Sequence, residues 1–158
     1  MTAGQGSGTW GSREAATEWQ RGAAARLTAL GPATEMMLDL AGVTIGSRVL
    51  DVGAGAGDST LTAARRVGPT GHVLATDISS SMLEIAAASA RHEGLNNLTT
   101  RVADAQRLDL ESDAVDAVIS RNCLMLIPDY ALALTAIRRV LNYKHVQTGQ
   151  ERETATKR

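Results

Sequence analysis

The sequence predicts a doubly wound α/β fold, in which helices cover both faces of a parallel sheet. Short apolar, β-branched runs alternate with helix-like segments between residues 48 and 141. A glycine-rich turn at residues 53–57 directly follows the first of these runs, and an aspartate stands at the end of three successive runs. Right-handed crossovers between parallel strands then give a Rossmann-like sheet. We expect this sheet to be incomplete, with strand order 3-2-1-4 and with helices preceding it.

Composition places the chain among ordinary globular domains. Its 158 residues are 44% hydrophobic and 21% charged, which is enough for one domain with a core. The net charge of −1 gives no indication of binding to nucleic acid or to an anionic membrane. The single cysteine cannot form an internal disulfide, and no apolar run approaches the ~20 residues of a membrane helix. We therefore expect a cytoplasmic protein without nucleic-acid or membrane partners.

The first part of the chain predicts a flexible leader and two helices. Residues 1–11 are rich in Gly, Ser and Thr and lack a signal-peptide pattern. Ser12 is a suitable N-cap for a first helix, and Gly31-Pro32 predicts the end of that helix and the start of a second one. Met36 and Met37 are then expected to face the core.

The strands and helices of the sheet domain are predicted from residue 12 to residue 141. Strands are expected at residues 48–52, 72–77, 98–103 and 114–120. Asp58 or Ser59 is expected to cap the helix after the glycine loop, and Ser81 to Glu84 match a capping box for the next helix. A last helix is expected at residues 130–141, and residues 142–158 are expected to form a polar tail.

Three carboxylates and the glycine loop indicate a ligand site. Asp51, Asp77 and Asp104 each lie at the carboxyl end of a predicted strand, where ligands of open α/β sheets bind. Gly55 allows a ligand to approach the backbone closely, and Gly57 permits a positive φ or close helix packing. Asp77 follows Gly57 by 20 residues, a spacing at which a carboxylate reaches a ribose diol.

The details of the loop separate three kinds of nucleotide-like ligand. The P-loop pattern is absent, because no Gly-Lys-Ser/Thr follows the glycines. The third glycine comes one residue earlier than in the dinucleotide fingerprint, and Asp51 would disfavour a pyrophosphate but suit an ammonium group. A nicotinamide-dependent oxidoreductase is therefore kept only as a minor alternative.

These residues resemble the motifs of class I S-adenosylmethionine (SAM) dependent methyltransferases. Residues 49–57 resemble the first motif, residues 75–83 the second and residues 102–105 the third, while residues 114–120 and 130–141 are similar to the fourth strand and its helix. The resemblance is closest to the small-molecule branch, such as quinone-biosynthesis methyltransferases, and it covers residues 19–141. It implies SAM as the cofactor and a small molecule as the methyl acceptor.

The resemblance also assigns roles to individual residues. Asp51 would help to place the SAM amino group through water or loop amides, and Asp77 would bind the ribose hydroxyls. The remaining expected contacts are the loop backbone at the methionine portion (Gly53, Ala54, Gly55, Gly57), the adenine packing surface (Ile78, Met82), the adenine edge (Asp104, Ala105), the methionine and methyl side (Arg121, Asn122) and a lid aromatic (Trp19). No catalytic base and no metal site are predicted.

Some side chains are expected to be structural. Cys123 follows Arg121 and Asn122 and could border the site, but it is interpreted first as a packed core cysteine. Tyr130 is expected to pack at a helix start, and Arg138-Arg139 to lie on a solvated helix face.

The chain departs from the family pattern after residue 141. The later strands of the family have no counterpart in residues 142–158, so the domain is expected to be truncated after the fourth strand and its helix. The fourth strand, residues 114–120, would then be an apolar edge that invites self-association. A non-catalytic SAM-binding fragment, or a pseudo-methyltransferase that needs a partner chain, is accordingly the main alternative to an active enzyme.

Overall fold

The structure, a computed structural model, describes residues 12–142 and contains one parallel sheet. Its four strands are β1 (Arg48–Val52), β2 (His72–Asp77), β3 (Leu98–Val102) and β4 (Ala117–Ile119). They lie in the order β3-β2-β1-β4, and every pairing is parallel. The predicted fold class and strand order are therefore confirmed. The predicted leader, residues 1–11, and the predicted tail from residue 143 lie outside the described residues.

Helices cover both faces of the sheet. They are α1 (Arg13–Arg21), α2 (Ala23–Leu40), α3 (Asp58–Val67), α4 (Ser80–His92) and α5 (Tyr130–Val140), with short 3₁₀ turns at Ala105–Arg107 and Leu124–Leu126. None of the helices within residues 12–142 is long and apolar enough to cross a membrane.

Alternate side chains of the central strand β1 enter two separate apolar layers. Val49 packs into a cluster with residues of α2 and α3, whereas Leu50 and Val52 pack on the other face with residues of α5. This division follows from the two-residue period of a strand. A strand covered on both faces carries apolar residues on both of them, as Val49, Leu50 and Val52 do in β1.

The predicted helix break at Gly31-Pro32 is wrong, because α2 continues through Pro32 to Leu40. The break lies at Gly22 instead, where the Cβ of any other residue would lie 2.8 Å from the Arg26 guanidinium. The proline removes one hydrogen bond from α2. Burial of Thr34 and Leu38 against the neighbouring helix and sheet holds the helix together across that position.

The predicted core position of Met36 is also wrong. Thr34 and Leu38, four residues apart, form the buried stripe of α2, so Met36 points away from the core and is 64% exposed. Met37 packs against the apolar cluster as expected.

The helix caps differ from those predicted. Ser12 caps α1 as expected and accepts from the Ala15 amide at 3.1 Å. Ser79, not Ser81, caps α4 through its hydroxyl, which accepts from the Met82 amide. The N-cap of α3 is Gly57 in the left-handed conformation, so neither Asp58 nor Ser59 is the cap.

Strand β4 is shorter than the predicted residues 114–120. Its ladder to β1 ends at Ile119, because the Ser120 hydroxyl, not a backbone amide, donates to the Val52 carbonyl. At the other end, Val115 forms an isolated parallel bridge with Leu141, and the Asn142 amide donates to the Val115 carbonyl at 2.7 Å. The backbone just after α5 therefore returns to lie beside the segment that precedes β4.

Candidate cofactor site

The glycine loop between β1 and α3 is held in a left-handed conformation at three alternate residues. Gly53, Gly55 and Gly57 have φ angles of 71°, 57° and 94°. The amides of Gly53 and Ala54 both donate to the Thr76 carbonyl, so the loop is fastened to the end of β2.

The three glycines differ in what surrounds them. A Cβ at Gly53 would lie 2.1 Å from the Cys123 sulfur, and a Cβ at Gly57 would lie 2.8 Å from the Cβ of Ala86 in α4. A Cβ at Gly55 would meet nothing within 4 Å. Gly55 is therefore the position where the loop backbone faces open space, as a site for a closely approaching ligand requires.

Asp77 braces the loop from the end of β2. Its two carboxylate oxygens accept from the Gly55 amide and from the Ser79 amide, each at 2.9 Å. Each carboxylate oxygen has two lone pairs, so Asp77 retains acceptor capacity for hydroxyl groups of a ligand. The half-buried carboxylate thus supports the loop and remains suited to bind a diol.

Asp51 is fully buried and only half satisfied. The hydroxyls of Ser59 and Thr60 donate to its Oδ2 at 2.8 and 2.7 Å. Its Oδ1 has no hydrogen-bond partner among the described residues. Burial raises the pKa of Asp51 to about 6, although the two hydroxyls and the positive charge of Arg121 oppose that rise. A buried carboxylate oxygen without a partner is unfavourable unless a cation or donor reaches it.

The predicted convergence of three acids is seen for two of them. The negative charge of Asp77 contributes to the raised pKa of Asp51, so these two carboxylates lie within electrostatic reach of one another. Asp104 is exposed and accepts from the amide and side chain of Gln106, at the start of a 3₁₀ turn. Its approach to the same ligand stays a prediction.

The residues expected to contact adenine differ in their exposure. Ile78 is 55% exposed directly after Asp77, so an apolar surface is available beside the candidate diol site. Met82 is only 3% exposed, because Ala16 of α1 and Ala56 of the loop pack against it. In this conformation Met82 is not presented to a ligand, and its predicted contact with adenine would require α1 to move. Ala105 is buried as well.

Residues 121–123, which follow β4, take three different directions. Arg121 turns toward α2 and α3, where it donates to the Thr34 hydroxyl at 2.6 Å and lies 3.5 Å from the Asp58 carboxylate. Asn122 is exposed and has a positive φ of 58°. The predicted contacts of both residues with the methionine portion stay predictions.

Cys123 lies at the site, contrary to its interpretation as a core cysteine. It is half-buried, and its side chain covers the position of a Gly53 Cβ. Burial raises the pKa of the Cys123 thiol, and the negative charges of Asp77 and Asp51 raise it further. The predicted strand order indicated that Cys123 would lie near the glycine loop. Because β4 pairs with β1, the residues that follow these two strands meet at one edge of the sheet.

Two further sequence interpretations are wrong. Tyr130 is 63% exposed and does not pack at the start of α5. Arg139 is not simply solvated, because its guanidinium donates to the carbonyls of Leu108 and Leu110 and so ties the preceding loop to α5.

A groove of about 470 Å³ begins beside the glycine loop, where Ala56 and Asp58 line it, and continues between the helices. It separates α1 and α2 from the outer surfaces of α3 and α4 and is lined by residues such as Leu27 and Ile85. Neither Gly55 nor Asp77 lines it. The strand ends are the better candidate, because ligands of open parallel sheets bind there and because the unpaired oxygen of Asp51 lies there.

Comparison with known proteins shows which family the chain resembles. Residues 44–149 match the family described as a methyltransferase domain. The chain is 37% identical over 105 residues to the ubiquinone/menaquinone biosynthesis C-methyltransferase UbiE of Vibrio campbellii, covering 66% of this chain and 40% of that protein. It is 37% identical over 100 residues to the demethylmenaquinone methyltransferase of Staphylococcus aureus, covering 63% of this chain and 41% of that protein.

A solved structure shows the same arrangement of strands and helices. The SAM-dependent methyltransferase of Aquifex aeolicus superposes with a TM-score of 0.64 at 27% identity, covering 68% of this chain and 57% of that one. The chain spans about 40% of the length of the curated relatives it matches. By the family match over residues 44–149 and by this fold, the chain belongs to the methyltransferase-domain family of the class I, SAM-dependent type.

Proposed function

We propose that this chain binds SAM at the carboxyl ends of β1 and β2 and transfers its methyl group to a small-molecule acceptor. The observation that carries the proposal is the unpaired Oδ1 of the fully buried Asp51, beside a glycine loop whose Gly55 faces open space. A cationic ammonium group would satisfy that oxygen. An adenosyl amino acid combines such a group with the diol that suits Asp77.

The described residues fit the parts of SAM one by one. Asp51 would help to place the ammonium group through water or loop amides, Asp77 would accept from the ribose hydroxyls, and Ile78 supplies an exposed apolar surface for the adenine. Bound SAM supplies an already activated methyl group, so the protein contributes mainly binding, alignment and exclusion of water. No side chain has to act as a nucleophile, and we assign no general base.

The acceptor is proposed to be an apolar small molecule. Two relatives are named as quinone-biosynthesis enzymes, and this chain carries exposed apolar side chains just beyond the glycine loop. Met125, Leu126 and Tyr130 are 75%, 60% and 63% exposed, and they follow Cys123, which touches Gly53. An aromatic, quinone-like acceptor would cover this surface while its reacting atom faced the methyl group.

A SAM-binding module that needs a partner chain is the second candidate. The observation that favours it is the outer edge of β4, which pairs only with β1 among the described strands. Turnover by the isolated chain would exclude this candidate. The nicotinamide alternative has lost its support, because the family and fold matches are to methyltransferases. The expectation of a cytoplasmic protein stays a prediction.

Isothermal titration of SAM and S-adenosylhomocysteine into the purified chain tests the binding part of the proposal. We expect saturable binding of both ligands and none of NADH. Binding heat from NADH, with none from SAM or S-adenosylhomocysteine, would overturn the assignment of the site to SAM. Transfer of tritiated methyl from SAM to a panel of quinone-like aromatic acceptors then tests the reaction.

Replacing Asp77 with Ala is expected to weaken SAM binding by about 100-fold or more. Two hydrogen bonds to a charged acceptor contribute roughly 1.5–3 kcal/mol each, and both ribose bonds would be lost. The same change leaves the amides of Gly55 and Ser79 without their partner, so it also lowers stability.

Asp77→Asn separates these two effects. The amide keeps one carbonyl oxygen for a backbone partner but removes the charge. Calorimetry and a thermal melt of both variants distinguish ligand loss from unfolding. Unchanged SAM affinity in a folded Asp77→Asn protein would contradict the ribose assignment.

Self-association through residues 114–120 is proposed as a property of the same chain. The outer edge of β4 has no partner among the described strands, although Val115 just before it pairs with Leu141 and Asn142, and such edges pair with other strands. We expect the weight-average mass from light scattering to fall on dilution. A mass equal to one chain at every concentration, together with a single cooperative melt, would contradict this proposal.

A further inference from the structure

The helix pair α1–α2 is attached to the cofactor site through few contacts. Ala16 of α1 packs on Ala56 of the glycine loop and on Met82 of α4. Trp19 packs at the edge of the same cluster. The pair therefore covers one side of the loop, and whatever holds it there also determines access to Met82.

Asp58 forms the polar part of this attachment. It is the first residue of α3, directly after the glycine loop, and its side chain is only 13% exposed. Arg26 of α2 donates to Asp58 Oδ2 at 2.8 Å, and the same guanidinium lies 4.1 Å from the centre of the Trp19 ring and donates to the Trp19 carbonyl. Arg26 thus joins both helices of the pair to Asp58.

A second arginine reaches the same carboxylate from the other side. Arg121, after β4, lies 3.5 Å from Asp58 Oδ2, is 16% exposed and donates to the Thr34 hydroxyl of α2. Its positive charge also acts on the buried Asp51 carboxylate. One carboxylate therefore links α2, the start of α3 and the segment after β4.

We propose that Asp58 is a positioning residue that couples SAM binding to the helix pair α1–α2, by holding Arg26 and Arg121 at once. The inference rests on the proposed function, because it concerns the affinity of the same site for SAM. Asp58 itself does not touch the ligand. It keeps α1 over the loop through Arg26, and it keeps the Arg121 charge close to Asp51.

The energetic basis is the removal of these charges from water. Arg26, Asp58 and Arg121 are all more than four-fifths buried at the side chain. Removing Asp58 leaves both arginines buried without a counter-charge, which is strongly unfavourable, whereas removing Arg26 leaves Asp58 beside Arg121 and breaks only its link to the helix pair. α1 and the first turns of α2 would then be released from the loop, while Thr34 and Leu38 keep the rest of α2 in the core. Coupling between sites in proteins is commonly worth about 5-fold to 150-fold in affinity.

The test compares SAM affinity in four variants of the full chain. Asp58→Asn and Arg26→Gln are each expected to weaken SAM binding by about 10-fold. The double variant is expected to be no weaker than the weaker single variant, because both changes break one link. Asp58→Glu, which restores the charge, is expected to recover most of the affinity. Glu93→Gln breaks the more exposed ion pair with Arg65 and serves as the matched control with unchanged affinity.

Hydrogen exchange supplies a readout that a purely structural role would not change. In the wild-type chain, SAM is expected to slow exchange of amides in α1 and in the first turns of α2. In Asp58→Asn and Arg26→Gln, bound SAM is expected to protect the glycine loop but not α1. Arg26→Gln changes only the N-terminal helix pair, so it keeps the test decisive if Asp58→Asn does not fold.

The outcomes distinguish a failure of the Asp58 coupling from a failure of the proposed function. Wild-type affinity in both single variants, or effects that multiply in the double variant, would overturn the coupling and leave the proposed function standing. A wild-type chain that folds but does not bind SAM would overturn both.

Discussion

Replacing Asp51 with Asn is expected to weaken SAM binding by about 100-fold or more and to raise the melting temperature of the ligand-free chain at pH 8. The loss of affinity follows from removing the only negative charge opposite the ammonium group, since hydrogen bonds between charged groups are roughly twice as strong as neutral ones. The gain in stability follows from the raised pKa of Asp51, about 6 in the folded chain.

The sign of the stability effect is fixed by proton linkage. The pKa of Asp51 is higher in the folded chain than its usual value of 3.8, so the folded state holds the proton more tightly than the unfolded state. Stability therefore falls as the pH rises from about 4 to about 6, and the full cost, on the order of 3 kcal/mol, persists above pH 6. Asn avoids that cost. It also places an unpaired amide donor at the Oδ1 position, however, and this destabilises the folded state by about 1–3 kcal/mol. We expect a net gain of about 1 kcal/mol, or roughly 3 °C.

The pH dependence of SAM affinity checks the same assignment independently. Wild-type affinity is expected to decline as the pH falls through about 6, because protonated Asp51 no longer attracts the ammonium group. Asp51→Asn should remove this dependence. Asp109→Asn changes an exposed carboxylate and is the control for a general effect of charge. If Asp51→Asn lowers the melting temperature at pH 8 and keeps the affinity, Asp51 has a structural role only.

Local patterns predicted the sheet well because each signal comes from neighbouring residues. The apolar run of β1, the glycine bend after it and the helix after that determine one β-α-β connection, and right-handedness then orders the strands. The prediction failed in α2, where tertiary packing overrides a local signal. Burial of Thr34 and Leu38 maintains α2 past Pro32. The helix break lies at Gly22 instead, where any other side chain would collide with Arg26.

Only those residues of the site that belong to one continuous sequence motif were predictable. The glycine loop and Asp77 lie on a motif of fixed spacing, so their proximity follows from one strand-loop-helix unit and the next strand. Cys123 meets Gly53, and Arg121 meets Asp58, through contacts between residues far apart in the sequence, and no spacing rule indicates them. The burial of Met82 under Ala16 was missed for the same reason, since it depends on where α1 packs.

Replacing Gly53 with Ala is expected to destabilise the chain by about 2–5 kcal/mol and to abolish SAM binding. Its φ of 71° costs any other residue about 1–2 kcal/mol. In addition, the new methyl group would lie 2.1 Å from the Cys123 sulfur and 2.4 Å from its Cβ, so the loop and the segment after β4 have to separate. Overpacking of this kind costs about 1–3 kcal/mol. Denaturant unfolding gives the free energy of unfolding, and calorimetry gives the affinity.

Gly55→Ala is the matched control, because it has nearly the same backbone angle and no neighbour within 4 Å. It should lose only the conformational cost of about 1–2 kcal/mol, while its Cβ occupies the space assigned to the ligand and weakens SAM binding. Adding Cys123→Gly to Gly53→Ala should restore part of the stability by removing both clashing atoms. Equal losses of stability in the two alanine variants would show that the Gly53–Cys123 contact does not hold the loop, and normal SAM affinity in Gly55→Ala would show that the ligand does not approach the loop at that residue.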